Sequence, residues 1–377
     1  MQALPKIPVD EVIDISSSNA SQQREAHGLF RYFGKLAPDV TGRVLDLSME
    51  RISSKQPIVV DVMSGSGTSL IECAARKVRS FGSDVNPVAN LYAKVKTQSV
   101  DRERFFEFLA RAEAAKVRNL GVRARAVFAA THHADRWFNE DARREVARLR
   151  ISIEDLPSSR ERALLLAVLL GCVRRFSNAS NRTGRIFFDP ESASKQPLRD
   201  FVKAAESAVE LVPEEDLDTQ VVASDARRLP FKSQKAHISF CHPPYFALYR
   251  FSADVLRFEL EVAGWSRARI AATEVEEGWK SGDVSKLNTY VNDMSDVFAE
   301  ARRITRRRGI LALVASNSTL GDVQLPVIDR MALAAGETGW KLERHFERRA
   351  HHGSASYHRS ARTDKVIQQD HVLLFRR

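Results

Sequence analysis

The stretch IVVDVMSGSGTSLIECAARKV, residues 58–78, decides how the chain is read. Ile58 to Val62 form a β-branched run of the kind that fills a buried strand. The segment Ser64-Gly65-Ser66-Gly67-Thr68 then supplies a turn, and Leu70 to Val78 carries apolar residues at helical spacing. Ser80 to Pro87 (SFGSDVNP) reads as a second strand ending in a turn. A strand–helix–strand unit of this length predicts a parallel pair joined by a right-handed crossover.

The same stretch predicts a ligand site. Glycine lets the backbone turn tightly and come close to a bound molecule. Asp84 lies 19 residues beyond Gly65, at the end of the second strand. A carboxylate there can accept hydrogen bonds from both hydroxyls of a ribose. The expectation is a nucleoside-containing cofactor in a doubly wound fold. Leu70 stands where a dinucleotide fingerprint requires a third glycine, which argues against NAD. Gly34-Lys35 is not a P-loop, because Gly28 is one residue too far away and Leu36 replaces the Ser or Thr.

Working outward, residues 1–26 are polar and read as an irregular lead-in, and residues 27–100 as the cofactor half of a catalytic domain. Residues 101–212 change character: ERFFEFLARAEAAKV, DARREVARL, RERALLLAVLLGCVRRF and LRDFVKAAESAVELV all show helical periodicity. This predicts a helical insertion, with a role in target choice. In residues 213–377 the α/β pattern resumes. TQVVASD, KAHISFC and GILALVAS read as strands, and YVNDMSDVFAEARRI and VIDRMALAAGETG as helices. WKLERHF and HVLLFRR close the sheet as an antiparallel pair.

Composition fits a soluble globular protein, with 44% apolar and 28% charged residues in 377. Ala163 to Val173, the longest apolar run, falls short of the roughly 20 residues a membrane span needs, so it predicts a buried helix. The N-terminus lacks a secretory pattern. Cys73, Cys172 and Cys241 lie far apart with no CxxC pair, which argues against a disulfide framework or zinc knuckle and for a cytoplasmic location. The net charge is +10, and Ala301 to Arg377 holds 15 Lys and Arg against 7 Asp and Glu. Such a region either neutralises phosphates or forms a solvated face.

A second motif, His242-Pro243-Pro244-Tyr245, follows the strand KAHISFC. With it, Asp61 to Thr68 and Asp84-Val-Asn86-Pro87 resemble the S-adenosylmethionine-dependent amino DNA methyltransferases. That family has a DxxxGSGT cofactor loop and a (Ser/Asp/Asn)-Pro-Pro-Tyr catalytic loop. His27 to Pro38, including Lys35, is similar to the family's N-terminal cofactor-pocket segment. Ser224-Asp225-Ala-Arg-Arg-Leu-Pro230 is similar to the loop whose acidic residue meets the adenine of the cofactor.

The resemblance implies a class I methyltransferase fold, α/β and Rossmann-like, with a mostly parallel sheet, antiparallel last strands and the helical insertion. It implies S-adenosylmethionine as cofactor, held by Lys35, Asp61, Ser64, Gly65, Gly67, Thr68, Asp84, Asn86 and Asp225. It also implies DNA as substrate, methylated at cytosine N4 in preference to adenine N6, and a cognate restriction enzyme as a partner. RNA is the alternative substrate, and a catalytically silent nucleic-acid-binding subunit is the alternative from another class.

The chemistry explains the loop. The lone pair of an exocyclic amine is delocalised into the base, and two acceptors binding the amino hydrogens favour the pyramidal geometry that frees it. The resemblance assigns those acceptors to the first side chain of the loop and the Pro243 carbonyl. Pro243 and Pro244 hold the backbone rigid, and Tyr245 would stack on a flipped base, a contact worth on the order of 1–3 kcal/mol. His242 departs from the family's Ser, Asp or Asn. A neutral imidazole accepts one hydrogen bond and loses that capacity when protonated, which predicts loss of activity at acid pH.

Other candidates surround this loop. Phe246, Tyr249 and Arg250 either line the base pocket or pack beneath the sheet. Asn317 resembles a family loop near the target. Arg348, Arg349, Tyr357, Arg359 and Arg362 are candidates for phosphate contact. Cys241 precedes His242 and reads as a small buried residue, not a nucleophile. Trp137-Phe138 reads as core, and the His132-His133 and His351-His352 pairs lack metal-site spacing.

Overall fold

The computed structural model describes residues 6–13, 25–180, 186–246, 251–275, 285–320, 323–349 and 369–377. Its strands are β1 (Glu11–Ile13), β2 (Ile58–Asp61), β3 (Arg79–Asp84), β4 (Thr219–Ala223), β5 (Ala236–Cys241), β6 (Thr305–Ala315), β7 (Ser318–Leu320), β8 (Val323–Leu325), β9 (Lys341–Arg349) and β10 (Gln369–Arg376). β7 and β8 form a separate antiparallel pair, and the other eight make one sheet in the order β1-β9-β10-β6-β5-β2-β3-β4. β4, β3, β2, β5 and β6 are parallel neighbours, while β10 runs antiparallel to both β6 and β9. This is the α/β arrangement expected from the sequence, a mostly parallel sheet whose last strands are antiparallel.

The chain steps from β2 outward to β3 and β4, then returns past β2 to β5 and β6. The strand order therefore reverses between β2 and β5. In an open parallel sheet the crevice beyond the carboxyl ends at such a reversal is where ligands bind. Both loops singled out in the sequence leave the sheet there, the glycine turn from β2 and His242–Tyr245 from β5.

Between β3 and β4 the described residues form mainly helices, chiefly Arg102–Ala114, Glu140–Glu154, Arg160–Phe176 and Pro197–Leu211. They share one apolar core with Phe30, Val88, Ala89 and Tyr92. Phe30 stacks on Tyr92 with ring centroids 4.3 Å apart. Phe138 and the apolar run of helix Arg160–Phe176 lie in that core, and Trp137 packs against it. Among the described residues no helix is long and apolar enough to cross a membrane.

One N-terminal expectation is corrected. Within the segment read as an irregular lead-in, Glu11–Ile13 adds to the sheet edge as β1, parallel to β9. Asp10 anchors it, its carboxylate accepting the His345 amide at 2.7 Å while its own amide donates to His345 O at 2.8 Å. An edge strand of three residues with one buried side chain leaves almost no hydrophobic pattern to read.

Candidate active site

The glycine turn is built on two carboxylates, Asp61 buried and Asp84 partly buried. Gly65 and Gly67 take left-handed backbone conformations, with φ of 49° and 84°, which side-chain-bearing residues rarely adopt. Asp84 Oδ2 accepts the Gly65 amide at 2.9 Å, and its Oδ1 accepts the Asn86 amide at 2.8 Å. Asn86 Oδ1 in turn accepts the Val88 amide at 3.0 Å and caps the helix Pro87–Thr97. Asp61 Oδ1 accepts the Met63 amide at 3.0 Å, and its other oxygen accepts from the Ser69 hydroxyl. Burial pushes the Asp61 carboxyl up to about 7 and that of Asp84 up to about 6. Thr68 begins the following helix.

Two hydroxyls of the turn, Ser64 Oγ and Ser66 Oγ, are buried with no hydrogen-bond partner among the described residues. An unpaired buried hydroxyl is costly, so atoms of this kind mark a place that a polar ligand completes. Glu274, which the sequence reading missed, stands close enough to Asp84 for their charges to repel. Burial raises its carboxyl above the usual range, the Ser252 hydroxyl opposes this, and Asp84 adds to it. Glu274 follows a short helix and carries no motif, so nothing in the sequence distinguishes it.

From the segment His27–Pro38, Tyr32 lies against the turn. The Tyr32 ring would be 3.5 Å from a side chain at Gly65, and it stacks with Phe251 at 6.0 Å. Lys35 Nζ donates to His27 O at 2.9 Å, and burial lowers its pKa to about 8. Asp225 lies beyond β4, where both its oxygens accept hydrogen bonds from Arg227, which also reaches Asp293 at 2.7 Å. Its carboxylate is therefore held in place before any ligand arrives.

The loop His242–Tyr245 adjoins this turn across the sheet. Asp61 pairs with Phe240 in register, and the Val62 amide donates to Phe240 O at 3.0 Å. His242 is partly buried, and loss of hydration lowers its pKa to about 4, so the ring is neutral at physiological pH. Its Nε2 lies 3.3 Å from the Tyr245 hydroxyl, with the rings edge to face. Tyr245 donates to Asp370 Oδ1 at 3.1 Å. The Tyr290 hydroxyl donates to Pro244 O at 2.8 Å, and Ser318 Oγ donates to Phe246 O at 2.6 Å. The Pro243 carbonyl has no hydrogen-bond partner among the described residues.

Several expectations for the target side are revised. Phe246 is buried beneath the sheet, in contact with Tyr290 at a centroid distance of 5.4 Å, so packing is its role. Arg348, expected on a phosphate-contacting face, is buried and ion-paired with Asp370 at 2.5 Å. Its partner sits opposite it in the β9–β10 register, so its charge is met within the protein. Asn317 Oδ1 accepts the Ile328 amide at 3.1 Å and so ties β6 to the helix Val327–Glu337. Arg349 ends β9, while Tyr249, Arg250, Tyr357, Arg359 and Arg362 lie outside the described residues. Cys241 is fully buried, and desolvation raises its thiol pKa well above the ordinary value, so it stays protonated and unreactive. Among the described residues no cluster of three or more His, Cys, Asp or Glu could hold a metal ion.

No family model matches the chain. A segment of 104 residues is 29% identical to the type II methyltransferase M.MjaII of Methanocaldococcus jannaschii. Part of the chain is thus similar to a methyltransferase. The match covers 28% of this chain and 19% of that protein, so the chain spans about a fifth of its relative's length. Among solved structures, a SAM-dependent methyltransferase of Methanosarcina mazei overlaps 88% of this chain and 96% of its own, with 8% identity and a TM-score of 0.37. A TehB-like SAM-dependent methyltransferase of Corynebacterium glutamicum overlaps 92% and 88%, with 8% identity and a TM-score of 0.33. Scores this low carry no argument about activity.

Proposed function

We propose that this chain transfers a methyl group from S-adenosylmethionine to an exocyclic amino group of a nucleic-acid base, in DNA, with cytosine N4 preferred over adenine N6. The observation that carries the reading is the placement of the glycine turn and the His242–Tyr245 loop side by side at the strand-order reversal, joined by the Val62–Phe240 hydrogen bond. The similarity of 104 residues to a type II methyltransferase supports methyl transfer as the reaction class.

The residues beyond β2 and β3 fit such a cofactor. The left-handed Gly65 and Gly67 leave room for close approach, Ser64 and Ser66 offer unpaired buried hydroxyls, and Asp84 keeps lone pairs beyond its two backbone bonds. Lys35, Asp61, Thr68 and Asn86 shape and hold the pocket, and Asp225 closes its far side. When bound, S-adenosylmethionine supplies an electrophilic methyl group.

The chain's own part is to prepare the nucleophile. The Pro243 carbonyl and the neutral His242 ring accept the two amino hydrogens and favour the pyramidal nitrogen whose lone pair attacks. Pro243 and Pro244 fix the loop, and Tyr290 fixes it again through the Pro244 carbonyl, so little reorganisation accompanies reaction. Tyr245 faces a base turned out of its stack. The helical insertion supplies surface for target choice, and Arg349, Arg359 and Arg362 supply phosphate contacts. Incubation of the purified protein with methyl-labelled S-adenosylmethionine and separate DNA and RNA pools tests the reading. Label in an N-methylated base of DNA is expected; label only in RNA, or none in either, overturns the DNA assignment.

A further inference from the structure

The His242–Tyr245 loop is tied to β9 and β10 through a chain of four side chains. Arg348 and Asp370 face each other in the β9–β10 register, and both are buried. Arg348 Nη1 donates to Asp370 Oδ2 at 2.5 Å, and Asp370 Oδ1 accepts from the Tyr245 hydroxyl at 3.1 Å. Tyr245 is 3.3 Å from His242 Nε2.

The direction of each bond follows from the donors available. A guanidinium only donates and a carboxylate only accepts. A tyrosine hydroxyl has one hydrogen, and here it points to Asp370. In its contact with His242 the Tyr245 oxygen therefore accepts, and His242 Nε2 must carry a hydrogen to donate. A neutral imidazole has only one, so Nδ1 is left bare. Among the described residues no hydrogen bond is made to His242 Nδ1.

We propose that Asp370, acting through Tyr245 and held by Arg348, is a positioning residue that fixes the His242 tautomer with Nδ1 as the acceptor for the target amine. The inference rests on the methyl-transfer reading above, in which the first side chain of the loop must accept a hydrogen. Ser, Asp or Asn at that place can present an acceptor by simple rotation. Histidine can do so only in the right tautomer, since the other would aim an N–H at the amine. The relay supplies what the substitution to histidine requires.

Replacing Asp370 with asparagine reverses the chain. Arg348 keeps the amide oxygen, so the amide nitrogen faces Tyr245 and donates to it. Tyr245 then turns its hydrogen to His242 Nε2, and the ring proton moves to Nδ1.

The experiment is nitrogen NMR of the full chain labelled with 15N-histidine, with His242→Gln used to assign the His242 signals. At pH 7 the wild type is expected to show a protonated Nε2 and a bare Nδ1, and Asp370→Asn the opposite pattern. In Asp370→Asn the kcat for methyl transfer should fall about 100-fold, the cost typical of losing one preorganised partner at a reacting centre, while KM for the cofactor stays within about twofold. Tyr245→Phe leaves the Arg348–Asp370 pair intact, and its His242 signals should move toward a mixture of tautomers. That variant carries the test if Asp370→Asn does not fold. A wild-type His242 protonated on Nδ1, or signals unmoved in the folded variants, overturns the relay. The expected signals in a wild type that methylates no nucleic acid would leave the relay standing and overturn the functional reading instead.

Discussion

Asp84 and Gly65 are joined by a 2.9 Å hydrogen bond that ties the loop after β2 to the end of β3. The other oxygen of the same carboxylate holds the Asn86 amide at 2.8 Å. One side chain thus sets both the glycine turn and the start of the next helix, and it is the group proposed to meet the ribose. In Asp84→Asn, whichever way the amide turns, an N–H faces a backbone N–H. We expect a stability loss of about 1–3 kcal/mol and a cofactor affinity lower by at least about tenfold. Thermal unfolding and calorimetric titration with S-adenosylmethionine measure the two effects.

The same carboxylate gives cofactor binding a pH dependence. Burial raises its folded-state pKa to about 6. Above that value the ionised group accepts from ribose hydroxyls, and below it a proton takes one of the accepting positions. Affinity should therefore weaken as pH falls through about 6, and that step should be lost in Asp84→Asn, which leaves only the Asp61 titration near 7. Titrations between pH 5 and 8, spanning that value, decide it.

His242 predicts a second, separable profile. Its folded pKa is about 4 against an ordinary value of 6.5, so the neutral ring persists well into acid. At saturating cofactor, kcat should hold from pH 8 to about pH 5 and fall as pH approaches 4. The loss of activity expected at acid pH is thus placed near pH 4, because burial holds the proton off. Stability carries the matching sign. Between pH 6.5 and 4 the unfolded histidine binds a proton that the folded one refuses, so acid favours unfolding. Relative to His242→Asn, the wild type should lose stability over that window, by on the order of 3 kcal/mol at its acid end. Denaturant unfolding of both proteins at pH 7 and pH 4.5 tests the difference.

Tyr290 holds the Pro244 carbonyl from the helix Ser285–Ile304. Tyr290→Phe keeps the ring packed against Phe246 and removes only the hydroxyl. We expect a stability loss of about 1 kcal/mol and a kcat lower by about tenfold with cofactor KM unchanged, since the loop is loosened and the pocket is not. Equal loss in both parameters would contradict the assignment.

Cys241 separates this chemistry from covalent attack by a thiol. The residue is buried and protonated, so Cys241→Ala should keep methyl transfer within about twofold while costing about 1 kcal/mol of stability. A complete loss of transfer by a folded Cys241→Ala protein would sink the amine mechanism.

Local signals carried much of this account. The β-branched run at Ile58, two glycines needing left-handed backbone and two prolines after β5 all act on their own neighbours, so they are readable without the fold. The helical insertion was readable from its periodicity for the same reason. What stayed hidden depends on pairing between distant segments. Arg348 belongs to a basic run whose charge looks the same whether it meets a phosphate or Asp370, and only the β9–β10 register decides. Tyr290 and Glu274 occupy ordinary positions by spacing, and they acquire a role only when their segments pack against the loop and the pocket. The neutrality of His242 in mild acid was likewise invisible, because desolvation is a property of the packed site.

The most direct test of the central claim is mass spectrometry of nucleosides from DNA and RNA of cells expressing the protein, beside cells expressing Pro243→Ala. The account predicts N4-methylcytosine, or failing that N6-methyladenine, in DNA only with the unmutated protein. An unchanged nucleoside profile in DNA, with the protein folded and binding S-adenosylmethionine, would contradict it.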